Sequence, residues 1–157
     1  MELEDLYDNN FNKLNKTIIR RVDEIPKDCY VMMSYALIKN DDKYLLEQET
    51  EKSNYTYAIP GGHLVAGEDG LEGLKRELKE ELSLENVKTK HIDTILYPYN
   101  NYIFNIYLIE DRVNINDLIF QKDEVLNINW YSKNEILDLI NNGKINKGYA
   151  YILEKYI

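Results

Sequence analysis

The sequence predicts an α/β domain in which a mixed β-sheet is flanked by helices. Segments typical of strands come before and after one segment of helical periodicity, and two more helical segments close the chain. This order favours a mixed sheet over a purely parallel, doubly wound one. A chain of 157 residues with 44% hydrophobic content is long enough for one domain with a substantial core.

The first 28 residues are polar, and their structure is left open between a strand and a short helix. The only apolar cluster there fits either element, and it consists of Ile18, Ile19, Val22 and Ile25. We interpret residues 1–28 as an N-terminal extension within a single domain that spans residues 1–157.

A β-hairpin is predicted next. Residues 30–38 form a long, apolar and partly β-branched run, residues 40–42 supply a turn, and residues 43–47 form the second strand. After a polar loop, residues 55–59 have the composition of a short strand, which Pro60, Gly61 and Gly62 are expected to stop.

The hydrophobic period then changes to that of a helix. Asp69 and Glu72 have the spacing of a capping box, which satisfies free N–H groups at a helix start. Four leucines recur at helical spacing, and they are Leu71, Leu74, Leu78 and Leu82. We therefore predict a helix over residues 70–82.

The C-terminal half is predicted to contain three strands and two helices. Residues 92–97 and 102–109 are strands of a meander, joined at Pro98–Asn101. A half-buried strand follows, because three apolar residues alternate with polar ones, namely Leu126, Ile128 and Trp130.

Two helices close the chain. The first begins with a capping box at Ser132 and Glu135 and ends at Asn142-Gly143, and its inward residues are Ile136, Leu139 and Ile140. The second spans residues 147–156.

Composition excludes several classes of protein. The chain has 28 acidic and 19 basic residues, a net charge of −9 and a pI near 4.8, which argues against bulk electrostatic binding to nucleic acid or anionic membranes. A phosphate-bearing partner would therefore need a local cation. The single cysteine, Cys29, is interpreted as a small core residue, and without a secretory signal it favours the cytoplasm. No apolar run approaches the roughly 18 residues needed to span a bilayer.

Three carboxylates share one face of the predicted helix, those of Glu77, Glu80 and Glu81. Glu77 and Glu81 have no cation three or four residues away, and each like-charge pair at this spacing costs roughly 0.2–0.5 kcal/mol. A hard cation such as Mg²⁺ prefers oxygen ligands of this kind. The alternative reading is an acidic patch that simply faces water.

The residues around this patch follow the spacing G-x5-E-x7-R-E-U-x-E-E-x-G-U, where U is bulky and aliphatic. The matching residues are Gly62, Glu68, Arg76, Glu77, Leu78, Glu80, Glu81 and Leu84. Ser83 stands where the pattern has glycine, which ordinarily permits a left-handed turn after the helix. This is the Nudix box, and from Gly62 to Leu84 the chain resembles the Nudix hydrolase family.

The resemblance implies a Nudix-like α/β/α sandwich and a metal-dependent hydrolase. Such an enzyme directs water onto a phosphorus of a diphosphate linkage in a nucleoside diphosphate derivative, with Mg²⁺ or Mn²⁺ as cofactor. Carried over by position, the metal ligands would be Glu77, Glu80, Glu81 and the carbonyl of Gly61, with Glu68 in support. Glu77 would also orient or deprotonate the attacking water. Arg76 would hold the box carboxylates in place.

Residues outside the box complete the prediction. A further carboxylate is expected as ligand or base, with Glu124 the first choice and Glu110 or Asp111 the second. Substrate contacts are expected from His63, Tyr99 and Tyr102. Each of these residues also has a simpler reading, as a solvated loop acid, an exposed histidine or a sheet tyrosine.

Two other functions compete with the enzyme. One is a Nudix-fold module that binds a nucleotide or metabolite without turnover, and the other is an acidic interaction domain that uses no metal. The chain keeps every carboxylate of the box, which favours the hydrolase.

Overall fold

The computed structural model describes all residues from Met1 to Ile157. It contains nine strands and three α-helices, with short 3₁₀ turns at Glu51–Ser53 and Ile115–Asp117. The strands are β1 (Leu3–Tyr7), β2 (Lys13–Ile19), β3 (Val31–Asn40), β4 (Lys43–Glu49), β5 (Tyr57–Ala58), β6 (Gly61–His63), β7 (Thr89–Tyr97), β8 (Tyr102–Ile109) and β9 (Val125–Ser132). The helices are α1 (Gly70–Leu82), α2 (Lys133–Asn141) and α3 (Lys147–Tyr156).

Strand β3 is the centre of a mixed sheet that divides into two arms. In one arm β3 runs parallel to β8 and antiparallel to β6, and β7 is antiparallel to β8. In the other arm β4 pairs with β5 and β9, both antiparallel. Strand pairing joins the arms only where β3 turns into β4, at the pairs Lys39–Tyr44 and Asn40–Lys43. The sheet therefore opens away from this hairpin, and the cavity described below lies in the opening.

Two hydrophobic clusters pack on opposite faces of the sheet. The first includes α1 and is formed around Leu74, Leu78 and Leu82. The second includes the two C-terminal helices, with Ile136 and Ile152 fully buried. Helices thus cover both faces, which confirms the predicted α/β class with a mixed sheet flanked by helices.

Helix α1 begins and ends at the predicted residues. The Asp69 carboxylate accepts a hydrogen bond from the Glu72 N–H at 2.8 Å, and the Glu72 carboxylate accepts one from the Asp69 N–H at 3.1 Å. Both halves of the capping box are therefore made, and they fix the first turn. The leucine stripe then holds the helix against the sheet.

Ser83 makes the left-handed turn for which the family pattern has glycine. Its backbone lies at φ 53° and ψ 33°, and its N–H donates to the carbonyls of Leu78 and Lys79. The Leu84 N–H also reaches the Leu78 carbonyl, at 3.1 Å. The helix exit is therefore kept, although a residue with a Cβ pays a steric cost in this conformation.

Replacing Ser83 by glycine is expected to stabilise the protein. Glycine occupies the left-handed region without the steric cost, so Ser83→Gly should raise the free energy of unfolding by about 0.5–1 kcal/mol. Urea denaturation measures the change. Ser83→Ala keeps the Cβ and should give no gain, and a glycine variant less stable than the wild type would contradict this account.

The N-terminal segment forms a β-hairpin, with its second strand at Lys13–Ile19. This resolves the open choice between strand and helix. The apolar cluster does not act as one unit, because Ile18 is buried in β2 whereas Val22 is 64% exposed beyond it.

Three strand predictions need correction. Strand β5 is limited to Tyr57–Ala58, and the glycines expected only to stop it belong to a strand of their own, Gly61–His63. Strand β7 begins at Thr89, three residues before the predicted start. Leu126 was expected to point inward but is 45% exposed, because the register with β4 shifts between Gln48 and Glu49 and leaves Leu126 unpaired.

None of the three helices has both the length and the apolar character required to cross a bilayer.

Candidate functional site

Two glycines bring the start of the box close to the sheet and to helix α1. Gly61 has φ 137°, and a Cβ built on it would lie 2.1 Å from the Ser34 carbonyl oxygen. A Cβ on Gly62 would lie 3.0 Å from the carboxyl group of Glu77. Only glycine allows so close an approach, so strand β6 places backbone directly beside the Glu77 carboxylate.

Arg76 forms hydrogen bonds to three carboxylates of the box. Its guanidinium donates two hydrogen bonds to Glu68, at 2.7 and 3.0 Å, and one each to Glu77 at 3.1 Å and Glu80 at 3.2 Å. It also donates to the His63 carbonyl at 3.0 Å. Every hydrogen-bonding nitrogen of Arg76 is thus engaged, which suits a positioning role.

These contacts change the ionisation of the partners. The hydrogen bonds to Glu68 raise the pKa of Arg76 well above its usual value, although partial burial works in the opposite direction. Burial acts to raise the pKa of Glu68, but the bonds from Arg76 and from the Val65 N–H outweigh it and lower that pKa. Both groups therefore stay charged at neutral pH.

A buried carboxylate that sequence reasoning missed faces the box from strand β4. Glu47 is only 5% exposed, its side chain meets that of Glu81, and its Oε1 has no hydrogen-bond partner. The only sequence feature that points to Glu47 is its position directly after two apolar residues of a predicted strand, Leu45 and Leu46. Such a residue was not separable from the solvated acids of the chain by sequence alone.

Burial changes the acidity of this pair strongly. It raises the pKa of Glu47 to about 7, and the charges of Glu49, Glu77 and Glu124 act in the same direction, while the contact with Glu81 partly opposes them. Burial also raises the pKa of Glu81 well above its usual value, and the charge of Glu47 adds to this effect. Two carboxyl groups so placed do not both ionise without a compensating cation.

The site opens into a cavity of about 790 Å³ between the two arms of the sheet. Acidic residues dominate its lining, and they are Glu2, Glu47, Glu49, Glu77, Glu80, Glu81, Asp123 and Glu124. Gly61, Gly62 and His63 form part of its wall. A cavity so rich in carboxylates is suited to a hard cation.

The donor set fits a divalent cation in chemistry, although its side chains are not drawn together around a central point. No three acidic, histidine or cysteine side chains converge tightly enough to enclose an ion as they stand. Glu77 and Glu80 instead share the Arg76 guanidinium. The unpaired Glu47 oxygen and the backbone beside Glu77 are the features of the structure that favour a cation.

Of the three acids predicted outside the box, only one lines the cavity. Glu124 lines the cavity as an exposed side chain in the turn just before β9. Glu110 and Asp111 follow the end of β8 and do not line the cavity, and Asp111 accepts a hydrogen bond from the Lys88 N–H at 2.5 Å. The structure therefore brings Glu124 to the box and leaves the other two apart.

Of the three predicted substrate contacts, only His63 lines the cavity. His63 lines the cavity, and its Nδ1 lies 2.5 Å from a carboxylate oxygen of the buried Glu4. Tyr102 packs edge-on against His63 with ring centroids 6.1 Å apart, behind the cavity wall. Tyr99 is 74% exposed in the β7–β8 turn and lies away from the cavity.

Two other tyrosines line the cavity instead. Tyr35 and Tyr149 meet edge to face with ring centroids 5.4 Å apart. Burial raises the pKa of both hydroxyls, so both remain neutral at physiological pH. They come from β3 and α3, elements that no local sequence pattern places at the box.

The fold and site together define a class of protein: an α/β/α sandwich with a glycine-led loop and a glutamate-rich helix beside a polar cavity. The chain belongs to the NUDIX family, because the sequence model of the NUDIX domain family matches residues 33–156.

Solved structures share this fold. DR0079 from Deinococcus radiodurans superposes with a TM-score of 0.83 at 17% identity, over 99% of this chain and 100% of that one. A bifunctional NMN adenylyltransferase/ADP ribose pyrophosphatase from Francisella tularensis, solved with AMP and a manganese ion, superposes with a TM-score of 0.61 at 18% identity. That match covers 80% of this chain and 40% of the bifunctional protein.

Among curated proteins, the chain is similar to the NAD-capped RNA hydrolase NudC of Escherichia coli and Shigella boydii. The identity is 23% over 99 residues, which is 63% of this chain. The matched region is 38% of the length of these relatives.

Proposed function

We propose that the chain is a metal-dependent hydrolase that cleaves the diphosphate linkage of a nucleoside diphosphate derivative by water attack on phosphorus. The observation that carries this proposal is the buried carboxylate of Glu47 against the half-buried Glu81, set beside Glu77 with no basic side chain paired to Glu47 or Glu81. Two relatives point to the same chemistry, since one is named an NAD-capped RNA hydrolase and the other an ADP ribose pyrophosphatase.

Nudix hydrolases generally use divalent metal ions, and we propose Mg²⁺ or Mn²⁺ here. The residues that would hold the ion are Glu77, Glu80, Glu81 and the Gly61 carbonyl, with Glu47 as an additional ligand. When bound, such an ion polarises phosphoryl oxygens and makes its water more acidic. Glu68 would act indirectly, because it fixes Arg76 at the centre of the cluster.

The protein groups would divide the remaining work. Glu77, which lies between Arg76 and the Gly62 backbone, would orient the attacking water or accept a proton from it. Glu124 lines the cavity and is the alternative base. Arg76 would limit the motion of the carboxylates, which lowers the cost of arranging them during the reaction.

A screen of phosphoric anhydrides tests this function. Phosphate or pyrophosphate release is measured with Mg²⁺ or Mn²⁺ across nucleoside triphosphates, nucleotide sugars, ADP-ribose, NAD⁺ and dinucleoside polyphosphates. We expect turnover of at least one class, abolished by EDTA and strongly reduced in Glu80→Gln. Binding without turnover would instead indicate a non-catalytic binding module, and a lack of both metal and nucleotide binding would indicate an acidic interaction domain.

Two wider features belong to the same proposal. Residues 1–157 would form one Nudix domain, because the N-terminal hairpin is hydrogen-bonded to the domain through Tyr7 and Tyr30. A cytoplasmic setting is proposed because the single cysteine, Cys29, is a free thiol buried in the core.

A further inference from the structure

The N-terminal hairpin, which we define as residues 1–21 and which contains strands β1 and β2, reaches the candidate active site. It lies outside the segment that matches the family model, which begins at residue 33. Nevertheless four of its residues line the cavity, and they are Met1, Glu2, Arg20 and Arg21. The hairpin therefore adds to this cavity a wall that lies outside the matched domain.

Hydrogen bonds hold the hairpin against the loop that carries the box. The Ala66 N–H donates to the Leu3 carbonyl at 2.7 Å, and the Gly67 N–H donates to the Asp5 carboxylate at 2.7 Å. Buried Glu4 contacts His63, the last residue of β6, which leads into this loop. The hairpin is thus fixed relative to the Nudix box, which lets its side chains serve as positioned binding groups.

Few cations in the cavity are free to meet an anionic ligand. Its lining contains four basic residues beside the eight acids, namely Arg20, Arg21, Lys52 and Arg76. Arg76 is fully engaged by the box. Arg20 contacts Glu2 at 3.3 Å and the buried Glu4 at 3.7 Å, which directs its guanidinium. Neither Arg21 nor Lys52 makes an ion pair, and of these two only Arg21 lies on the hairpin beside Arg20.

The backbone at Arg21 is held in an unfavourable conformation. Its φ is 67°, a left-handed value that is sterically unfavourable for a residue with a Cβ. The turn is closed by N–H groups of Val22 and Asp23, which donate to the Ile19 carbonyl, while the Asp23 carboxylate accepts from the Ile19 N–H at 2.7 Å. Such conformations persist where surrounding structure enforces them and are frequent at binding sites.

We propose that Arg20 and Arg21 bind the phosphate oxygens of the substrate and so form the anion-binding side of the active site. Guanidinium groups bind phosphate through paired hydrogen bonds, and Arg20 and Arg21 are two of only four basic side chains in a cavity lined by eight acids. The hairpin then contributes directly to substrate recognition. This inference rests on the proposed hydrolase function, because it assigns residues to the substrate of that reaction.

Steady-state kinetics of Arg20→Gln and Arg21→Gln test the proposal. On the best substrate from the screen, each variant should raise KM about ten-fold and leave kcat within about two-fold, because a contact present in both ground and transition states affects binding alone. Lys16→Gln is the matched control, since it removes one positive charge from an exposed position of β2 that does not line the cavity. Arg21→Lys should recover part of the affinity.

A direct binding measurement separates this inference from the function itself. Titration calorimetry with α,β-methylene-ADP and Mg²⁺ should show about ten-fold weaker binding to Arg20→Gln and Arg21→Gln than to Lys16→Gln. If wild type binds this probe but hydrolyses nothing, the hydrolase proposal fails and the binding ratios still decide the role of the arginines. Arginine variants that match Lys16→Gln, or wild type that binds no probe, would overturn the inference.

Arg21→Gly distinguishes recognition from a structural role. This variant relieves the left-handed strain, so it should unfold at a higher urea concentration than Arg21→Gln while binding the probe equally weakly. Binding restored to the wild-type value by the glycine variant would show that backbone shape, and not the guanidinium, is what matters.

Discussion

Glu81→Gln is expected to lower kcat about a thousand-fold while the protein remains folded. The side chain is enclosed between Glu47 and Glu77, where an amide cannot supply the negative charge that a divalent cation requires. Loss of one metal-binding charge is worth several kcal/mol in the transition state, and about 4 kcal/mol corresponds to a thousand-fold. Turnover at saturating Mg²⁺ measures the change.

The control for this prediction is a glutamate just beyond the same helix. Glu85 is exposed, pairs with Lys79 at 3.5 Å and does not line the cavity. Glu85→Gln removes the same charge and should keep full activity. Wild-type kcat in Glu81→Gln at saturating metal would remove the residue from the mechanism and would weaken the proposed function as a whole.

The metal-free protein should lose stability as pH rises from about 4.5 to 7, owing to Glu47. Burial raises the pKa of Glu47 in the folded protein to about 7, against an ordinary value of 4.5. Between these values the folded state keeps a proton that the unfolded chain has lost, so unfolding becomes easier as pH increases. The loss is complete above about pH 7 and amounts to about 3 kcal/mol.

Glu47→Gln should weaken this trend, and the part that remains should come from Glu81, whose pKa burial also raises. The amide has no proton to lose, so in EDTA the variant should be about 2–3 kcal/mol more stable than wild type at pH 8 and similar to it at pH 4. Urea unfolding at several pH values measures the difference. Glu154→Gln, an exposed change on α3, serves as the control and should follow the wild-type curve.

Addition of Mg²⁺ should reverse the loss of stability at high pH. A ligand that binds only the folded state stabilises it, and a cation beside Glu47 would also favour the ionised carboxylate. Mg²⁺ should therefore stabilise wild type at pH 8 and have a much smaller effect on Glu47→Gln. A wild-type protein whose metal-free stability is flat between pH 4.5 and 8 would contradict the burial of a charged pair at this site.

The results expected for Glu81→Gln and Glu47→Gln indicate that the site lowers the stability of the fold. The carboxylates that would hold a cation lie close together around the buried Glu47, and we expect the fold to lose stability in exchange for a prepared binding site. Glu47→Gln is expected to gain stability and to lose metal affinity, which is the sign of a residue kept for its chemistry.

The local elements and the box could be predicted from sequence because their signals lie within a few residues of each other. The limits of α1 follow from the capping pair Asp69 and Glu72 and from leucines one turn apart. The glutamates of the box share a helix face for the same reason, since helix geometry alone places them there. The strand limits were predicted less well in two places. After β5 a second short strand forms by pairing with β3, and β9 contains a register shift against β4, and neither depends on local sequence alone.

The amino-acid sequence by itself determined the family, the helix that carries the box and the carboxylates along it. Only the tertiary structure brought Glu47 against Glu81 and the N-terminal hairpin against strand β6 at His63. These contacts join residues 34 and 59 positions apart, and no short-range periodicity encodes them. They arise from how the strands pair and how the hairpin packs, and these depend on the whole chain burying its apolar surface at once.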